Sequence, residues 1–486
     1  MNVVDPILNF GKTQCSAPAL IEGDRTITYG ALAELVRRTA SHLVALGFKR
    51  GDRIGLCLKD SADHLIALLG AAYMGGVAVT LDWRARANEN ARLIDGLGIQ
   101  RVLTETNTRL RDHCTVITID DAWRHAVALT QACGQSPCDG HDPFVVSATS
   151  GSTGVPRFTL MTHRQYNFAI AGMLELMALA GPHRFLCTLP LYYSGGRNSC
   201  IAHLLRGDCI VLYPSLFTPV EYLEVVNRQR ITVGTVVPSV VRQFLAAEGP
   251  EPMLPGLTKL FCTGAPLYTE EKRQAVRKLT PNFYERYGTA ETLALSVLCP
   301  VDLADRADSV GRPHSQVQIE IVDENNQPMD TGAVGRLRIR GPGLASPLPE
   351  QMKDSSFHDG WFYPGEIARL NENGYIFLRG RVSDVIMRSG AKIYPLEVER
   401  TLIEHQDILE AAVLGHRVTG NEEAVIAFVV KRGNMTTGEL LAHCRARLTP
   451  HKVPQQITFV AELPRNTSGK VDKFALAKLA DKNMGS

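Results

Sequence analysis

The feature that most constrains this chain is a change of period part-way along it. Between Tyr29 and Gly47 the apolar residues Leu32, Leu35, Val36, Leu43 and Leu46 recur at helical spacing, and residues 53–58 then read as a short buried strand. Residues 63–73 give a second helix and 77–81 a second strand, and the same rhythm returns over 222–237 and 269–284. Helices alternating with short apolar strands are the pattern of layered α/β architecture. Further on the period becomes two. Val317, Ile319 and Ile321 alternate with Gln318 and Glu320, and Leu337 and Ile339 with Arg336, Arg338 and Arg340, which predicts half-exposed strands in a smaller β-rich unit. After Gly380 and Arg381, about a hundred residues carry their own signals at 411–414, 424–430 and 439–448, the size of a compact α+β terminal domain.

Composition narrows the class of ligand. Lysine and arginine number 52 against 50 acidic residues, so a net charge of +2 gives no electrostatic reason to expect nucleic acid or an anionic membrane as partner. A small molecule is the expected ligand. Eleven cysteines form an odd set without metal-binding spacing, and the pair Cys133 and Cys138 lacks the second pair or histidines that a zinc site needs. They read as reduced thiols of a cytoplasmic protein. The first residues carry Asp5 and no basic cluster, unlike a signal peptide. The longest apolar stretch, 65–81, is broken by Gly70, Gly75 and Gly76 and is short for a bilayer; it predicts a buried helix running into a strand, with no membrane span.

The chemistry concentrates in a few segments. Ser147-Ala148-Thr149-Ser150-Gly151-Ser152-Thr153-Gly154-Val155-Pro156-Arg157 follows an apolar strand. Its glycines let the backbone approach an anion, and its hydroxyls and basic end suit phosphate oxygens. Alone, the run also fits a polar hairpin or linker. A kinase or NTPase P-loop is a poorer fit, because the Gly-Lys-Ser/Thr ending is absent and Arg157 follows a proline. Downstream stand Tyr287-Gly288-Thr289-Ala290-Glu291-Thr292, Asp359-Gly360-Trp361-Phe362-Tyr363-Pro364-Gly365-Glu366, Gly380-Arg381-Val382-Ser383-Asp384 and Pro464-Arg465-Asn466-Thr467-Ser468-Gly469-Lys470. A tyrosine can stack on a purine, a carboxylate accepts the hydroxyls of a diol, glutamate is a hard ligand for Mg²⁺, and arginine presents a fixed fork of donors.

In this order, across nearly the whole chain, these segments resemble the adenylate-forming enzymes: acyl-CoA synthetases, peptide-synthetase adenylation domains and firefly-type luciferases. The stand-alone acyl-CoA synthetases are the most similar in layout. The resemblance implies a large N-terminal domain of several subdomains over 1–380, with layered α/β sheets and the small β-rich unit. A hinge at 381–384, with Ser383 as its pivot, then joins it to a small mobile α+β C-terminal domain over 385–486. It implies nucleotide binding by Thr149, Ser150, Gly151, Ser152, Thr153, Gly154, Arg157, Tyr287, Gly288, Thr289, Glu366 and Arg381. Catalytic roles fall to Lys470, Glu291 and Arg381, with Glu291 also the ligand of Mg²⁺. Lys470 would bridge the carboxylate and the α-phosphate, a cation set on developing negative charge. The chain departs from the family pattern at three positions: Arg157 stands for lysine, Ala290 for a hydroxyl residue and Glu366 for aspartate.

For the acyl group the resemblance points to Pro190-Leu191-Tyr192-Tyr193-Ser194-Gly195-Gly196-Arg197 and Thr263-Gly264-Ala265-Pro266, giving a pocket of Tyr193, Gly196, Arg197, Gly264, Ala265 and Pro266. The first segment lacks the aspartate that pairs a substrate ammonium in amino-acid-activating relatives, and a buried ammonium without a partner is costly. The expected substrate is a carboxylic acid with an apolar or aromatic body. Arg197 is left with three readings: a partner for a second carboxylate or oxygen on the substrate, a structural ion pair, or a contact with coenzyme A phosphate. The cofactors implied are ATP, Mg²⁺ and coenzyme A, whose pantetheine arm could pass Ser389 and Gly390. A carrier-protein thiol or an amine is the alternative acceptor, and a catalytically silent nucleotide-binding protein the alternative of another class. Oligomeric state is left open.

Overall fold

The computed structural model describes residues 2–105, 108–149, 157–348, 356–388, 390–419, 422–465 and 471–484. The Thr28 hydroxyl accepts the amide of Ala31 and so starts helix Tyr29–Ala45, whose Leu32, Val36 and Leu43 are fully buried. Leu46 lies past the end of that helix and is exposed, because the chain has already turned toward the next strand. Helix Ala62–Met74 is capped by Ser61 and ended by Gly75 at φ +94°, a left-handed C-cap that glycine adopts without strain. All of this helix but Asp63 is buried, and strand Val77–Thr80 follows at once. The long apolar stretch is therefore a helix running into a strand. No helix among the described residues is long and apolar enough to cross a membrane.

Two large sheets enclose these helices. One has seven strands, with Pro143–Thr149, Val77–Thr80, Arg53–Cys57 and Arg101–Thr104 at its centre. The other has nine, built around the parallel strands Phe283–Thr289, Lys259–Cys262, Val233–Val236, Arg184–Cys187 and Cys209–Leu212. A single hydrophobic core joins Leu68, Tyr166 and Ile201 from the helices to Ile54 and Phe144 of the first sheet and to Phe185 and Ile210 of the second. Each such side chain contributes about 1.5–3 kcal/mol on burial. In parallel sheets ligands gather beyond the carboxyl ends of the strands. Here those ends include Thr80 and Ser147, on neighbouring parallel strands.

The predicted change of period corresponds to a change of architecture. Strands Gln318–Val322 and Val334–Arg340 pair antiparallel within a six-stranded sheet that also contains Glu366–Leu370 and Ile376–Arg381. Asp359 and Gly360, both at positive φ, form the two-residue turn between strands Phe357–His358 and Trp361–Phe362. From Ile386 onward the chain forms hydrophobic clusters of its own, around strands Ile408–Thr419 and Glu422–Lys431 and helices Pro395–Ile403, Thr437–Arg445 and Lys473–Met484. This part meets the rest through polar contacts: Arg400 donates to the carbonyls of Asp308 and Leu378, both at 3.4 Å, and Lys392 pairs with Glu324. All eleven cysteines are free thiols.

One buried ion pair anchors the floor of the larger sheet. Lys272 lies 2.5 Å from Glu285 and donates to the carbonyls of Ala307 at 2.8 Å and Ser309 at 3.0 Å. Burial raises the pKa of the Glu285 carboxyl, and Lys272 opposes that rise. Lys272→Met leaves the buried Glu285 carboxylate without its ion-pair partner and takes the ammonium from two buried carbonyls. The expected cost is about 3–5 kcal/mol, read in urea unfolding as a lower midpoint at unchanged slope.

Candidate active site

The turn after Tyr287 is built by close backbone packing. Strands Phe283–Thr289 and Leu293–Leu298 pair antiparallel, and their register shifts between Tyr287 and Gly288. A Cβ on Gly288 would stand 1.7 Å from the carbonyl oxygen of Leu293, so only glycine fits there. The turn's hydroxyls then hold it: the Thr289 amide donates to Thr292 Oγ1 at 3.0 Å and the Glu291 amide to Thr289 Oγ1 at 3.2 Å. The Glu291 carbonyl accepts the amide of Ala345 at 2.9 Å. A bulge of this kind re-aims side chains beside a site. Here it sets Tyr287 beside Glu291, Glu366 and Arg381, whose charges all act on its phenol.

Glu366 and Arg381 face each other directly across strands Glu366–Leu370 and Ile376–Arg381. Arg381 Nε donates to Glu366 Oε1 at 3.2 Å; the glutamate is buried and the arginine half-exposed. Glu366 is the main cause of the raised pKa of Arg381. The Tyr287 hydroxyl is buried without a hydrogen-bond partner among the described residues, and burial raises its pKa, reinforced by Glu366 and Glu291. An aromatic face, a carboxylate and a guanidinium thus converge, a set suited to a flat base carrying a diol and a phosphate. Four of the residues singled out in the sequence are brought together here. Ser150, Gly151, Ser152, Thr153, Gly154, Ser389 and Lys470 lie outside the described residues. Thr149 and Arg157 are partners in the last rung of a hairpin.

Ser383 is exposed and donates to Asp384 Oδ1 at 2.9 Å, while Lys473 Nζ reaches Asp384 Oδ2 at 2.6 Å. Burial pushes the Asp384 carboxyl up, but Lys473 and Ser383 outweigh it and hold its pKa low. Lys473 carries no sequence signal for this role, being joined to Asp384 only by the fold.

In the acyl segment, Tyr193 leads into helix Ser194–Arg206. Gly264, at φ +100°, places the space above its Cα 3.8 Å from the Tyr193 hydroxyl and 3.7 Å from Val237 Cγ1. Tyr193, Val237 and Gly264 are therefore neighbours, with Ala265 half-buried and Pro266 exposed beside them. At Gly196 a Cβ would lie 2.4 Å from the Pro190 carbonyl oxygen and 2.6 Å from that of Leu189, so close backbone packing requires glycine there. Arg197 is 2 % exposed. Its Nη1 donates to Thr80 Oγ1 at 2.7 Å and to the Tyr192 carbonyl at 3.5 Å, and its Nη2 to Ser147 Oγ at 2.9 Å. Of the three readings left open for Arg197, a structural ion pair is not seen among the described residues; its partners are neutral oxygens.

Residues 9–347 match the family model described as AMP-binding enzyme, and residues 397–470 match that of the AMP-binding enzyme C-terminal domain. The chain belongs to the AMP-binding enzyme family. An indoleacetate–CoA ligase of Aromatoleum aromaticum is 27% identical, over 96% of this chain and 95% of its own. Among solved structures, the o-succinylbenzoate coenzyme A synthetase of Bacillus subtilis in complex with ATP and magnesium ion aligns with TM-score 0.84 at 23% identity, covering 96% of this chain and 98% of that one. The amide bond synthetase of Marinactinospora thermotolerans aligns with TM-score 0.88 at 24% identity, covering 98% and 99%. The layered core and small terminal domain of this AMP-binding enzyme are the architecture of those structures.

Among the described residues no three acidic, histidine or cysteine side chains gather as a metal site. Mg²⁺ would take a single carboxylate, Glu291, with phosphate oxygens and water for the rest, its usual way of accompanying a nucleotide. Glu366→Ala should raise KM for ATP roughly ten- to hundredfold, the equivalent of charge-assisted hydrogen bonds worth about 1.5–3 kcal/mol, and leave KM for the acid unchanged. Pyrophosphate exchange at varied ATP and acid measures both.

Proposed function

We propose that this AMP-binding enzyme activates a carboxylic acid with ATP and Mg²⁺ as an acyl-adenylate and passes the acyl group to the thiol of coenzyme A. The observation that carries the reading is the convergence of Tyr287, Glu291, Glu366 and Arg381. Full-length similarity to a named CoA ligase supports it. In this scheme Tyr287 stacks on adenine, Glu366 accepts the ribose hydroxyls and Arg381 holds the ribose and α-phosphate. The substrate carboxylate attacks the α-phosphorus and pyrophosphate leaves. Lys470 sets its charge on both partners as negative charge builds there. The thiol then attacks the acyl carbon, and AMP departs.

The substrate we propose is an acid with an apolar or aromatic body, seated by Tyr193, Val237 and Gly264. The segment 190–197 holds no carboxylate for a substrate ammonium. An indoleacetate ligase as relative agrees with an aryl acid. We assign residues 1–380 to the nucleotide and acyl core, 381–384 to a hinge and 385–486 to a domain that turns between the two half-reactions. Eleven free thiols suit the reducing cytoplasm, the location we propose.

Incubation with ATP, a panel of aryl acids and either coenzyme A, a carrier protein or amines, followed by mass spectrometry, tests acid and acceptor together. Amides in place of thioesters would make it an amide synthetase, and ATP binding without acid-dependent pyrophosphate exchange a silent binder. Two variants should separate the steps. Lys470→Ala should lose adenylation at least a hundredfold, about 2.7 kcal/mol of transition-state stabilisation, and still turn supplied acyl-adenylate into thioester. Ser383→Pro should do the reverse, since proline fixes φ at the pivot. Equal loss of both steps in both folded variants would refute the hinge.

A further inference from the structure

Arg286 is the neighbour of Tyr287 on strand Phe283–Thr289, and successive side chains of a strand leave on opposite faces. Tyr287 packs on the hydrophobic cluster of the β-rich unit; Arg286 points the other way, toward Phe261 and helix Ser194–Arg206, and is 6 % exposed. Its Nη2 donates to Ser199 Oγ at 3.3 Å, and its guanidinium carbon lies 4.8 Å from the centroid of the Phe261 ring. Among the described residues that is the one hydrogen bond of a group able to donate several, and no carboxylate stands at ion-pair distance. Burial lowers its pKa to about 10, so it is still charged at neutral pH. The residue before it shows how the same strand closes a buried charge elsewhere: Glu285 meets Lys272 at 2.5 Å. A ring face and one hydroxyl are no equivalent, because an ion taken out of water keeps its desolvation cost until an opposite charge meets it.

The contacts of Arg286 lead to the acyl segment. Ser199 Oγ donates at 2.7 Å to the carbonyl of Gly195, one turn earlier on the same face of the helix. The space above the Gly195 Cα lies 3.0 Å from Tyr193 Cε1, and the Tyr193 hydroxyl borders the space above Gly264. Phe261 belongs to strand Lys259–Cys262, which runs out into Gly264. Tyr193, Gly195 and Gly264 are half-buried, whereas Ser199 and Arg286 are buried. The guanidinium therefore stands at the inner end of this line of neighbours.

We infer that Arg286 is a specificity-determining residue for the acid: with Ser199 it receives a second carboxylate, at the end of the substrate remote from the one that is adenylated. The inference rests on the acid activation proposed above and narrows its substrate class to a dicarboxylic acid whose apolar or aromatic body lies between its two ends. The reacting carboxylate is not the partner, because Glu291, Glu366 and Arg381 gather around Tyr287, which leaves the strand on the opposite face. A carboxylate accepts two parallel N–H bonds from a guanidinium, and the Ser199 hydroxyl can turn from the Gly195 carbonyl to give a third. The charge that the fold leaves uncompensated is then answered by the substrate.

Acid-dependent pyrophosphate exchange tests this with aryl dicarboxylic acids, each paired with the monocarboxylic acid of the same body in which methyl replaces the second carboxylate. Wild type should use its best diacid roughly thirtyfold better in kcat/KM than the matching monoacid, as a bidentate arginine contact implies. Arg286→Met should lose about a hundredfold on the diacid and less than about threefold on the monoacid, with KM for ATP unchanged. Arg286→Lys should recover part of the loss, and Ser199→Ala should cost roughly three- to tenfold on the diacid alone. Urea unfolding adds a readout that a structural arginine would move differently: removing an unpaired buried charge should leave the midpoint of Arg286→Met unchanged or higher. Equal loss on both acids, whatever the midpoint, would make the role structural and overturn the inference. So would a wild type that prefers monoacids, or an unchanged preference in folded Arg286→Met. Absence of exchange with every acid would sink the proposed activation instead. Calorimetry of the diacid with wild type and Arg286→Met, expected to differ roughly tenfold or more in affinity, decides the inference even then, and equal affinities would overturn it.

Discussion

Helices Ala62–Met74 and Ser194–Arg206 present buried side chains on nearly every face, and a helix of that kind is stable only when covered on all sides. Two sheets supply the cover. Once both sheets close on the same helices, the ends of strands Val77–Thr80 and Pro143–Thr149 meet the acyl segment, Thr80 bonding to Tyr192 and Ser147 to Arg197. The glycine-rich run leaves from Pro143–Thr149, the acyl segment follows Arg184–Cys187, and the Tyr287 turn continues Phe283–Thr289. The site is a consequence of how the core is covered.

The polar part of the site follows from a second constraint, the pairing of antiparallel strands in the β-rich unit. Glu366 and Arg381 are fifteen residues apart in sequence and opposite in register, so their contact needs no long-range accident. Their pair in turn sits against Tyr287 from another sheet. Two sheets of different construction thus each contribute half of a nucleotide-sized constellation, and neither half would suffice alone.

Much of this was legible in the residues. Periodicity marked the helix over 29–45, the buried helix and strand of 62–80 and the switch to alternating strands after Val317, because burial of one face leaves its imprint on local spacing. Tyr287, Glu291, Glu366 and Arg381 are singled out by the family resemblance of their motifs, and the fold brings the four together. What escaped was settled by distant contacts. That Gly196 must be glycine follows from the approach of the Leu189 and Pro190 carbonyls. Arg197 lies in the acyl segment, yet its rotamer carries the charge to Thr80 and Ser147. Lys473 meets Asp384 across a separation that no spacing rule spans.

The independent hydrophobic clusters beyond Ile386 carry a thermodynamic consequence. No apolar cluster among the described residues is shared across that point, and contact with the rest of the chain is made by bonds such as those of Arg400 and Lys392. Reorienting such a unit exposes little oily surface and trades only hydrogen bonds that water can replace, each worth about 0.5–1.5 kcal/mol net. For the domain rotation proposed above, the two orientations would then differ little in exposed apolar surface. A tenfold difference in how tightly they hold one ligand, about 1.4 kcal/mol, is enough to shift their populations tenfold. In that proposed cycle, replacing pyrophosphate by an incoming thiol substrate would suffice to turn the domain.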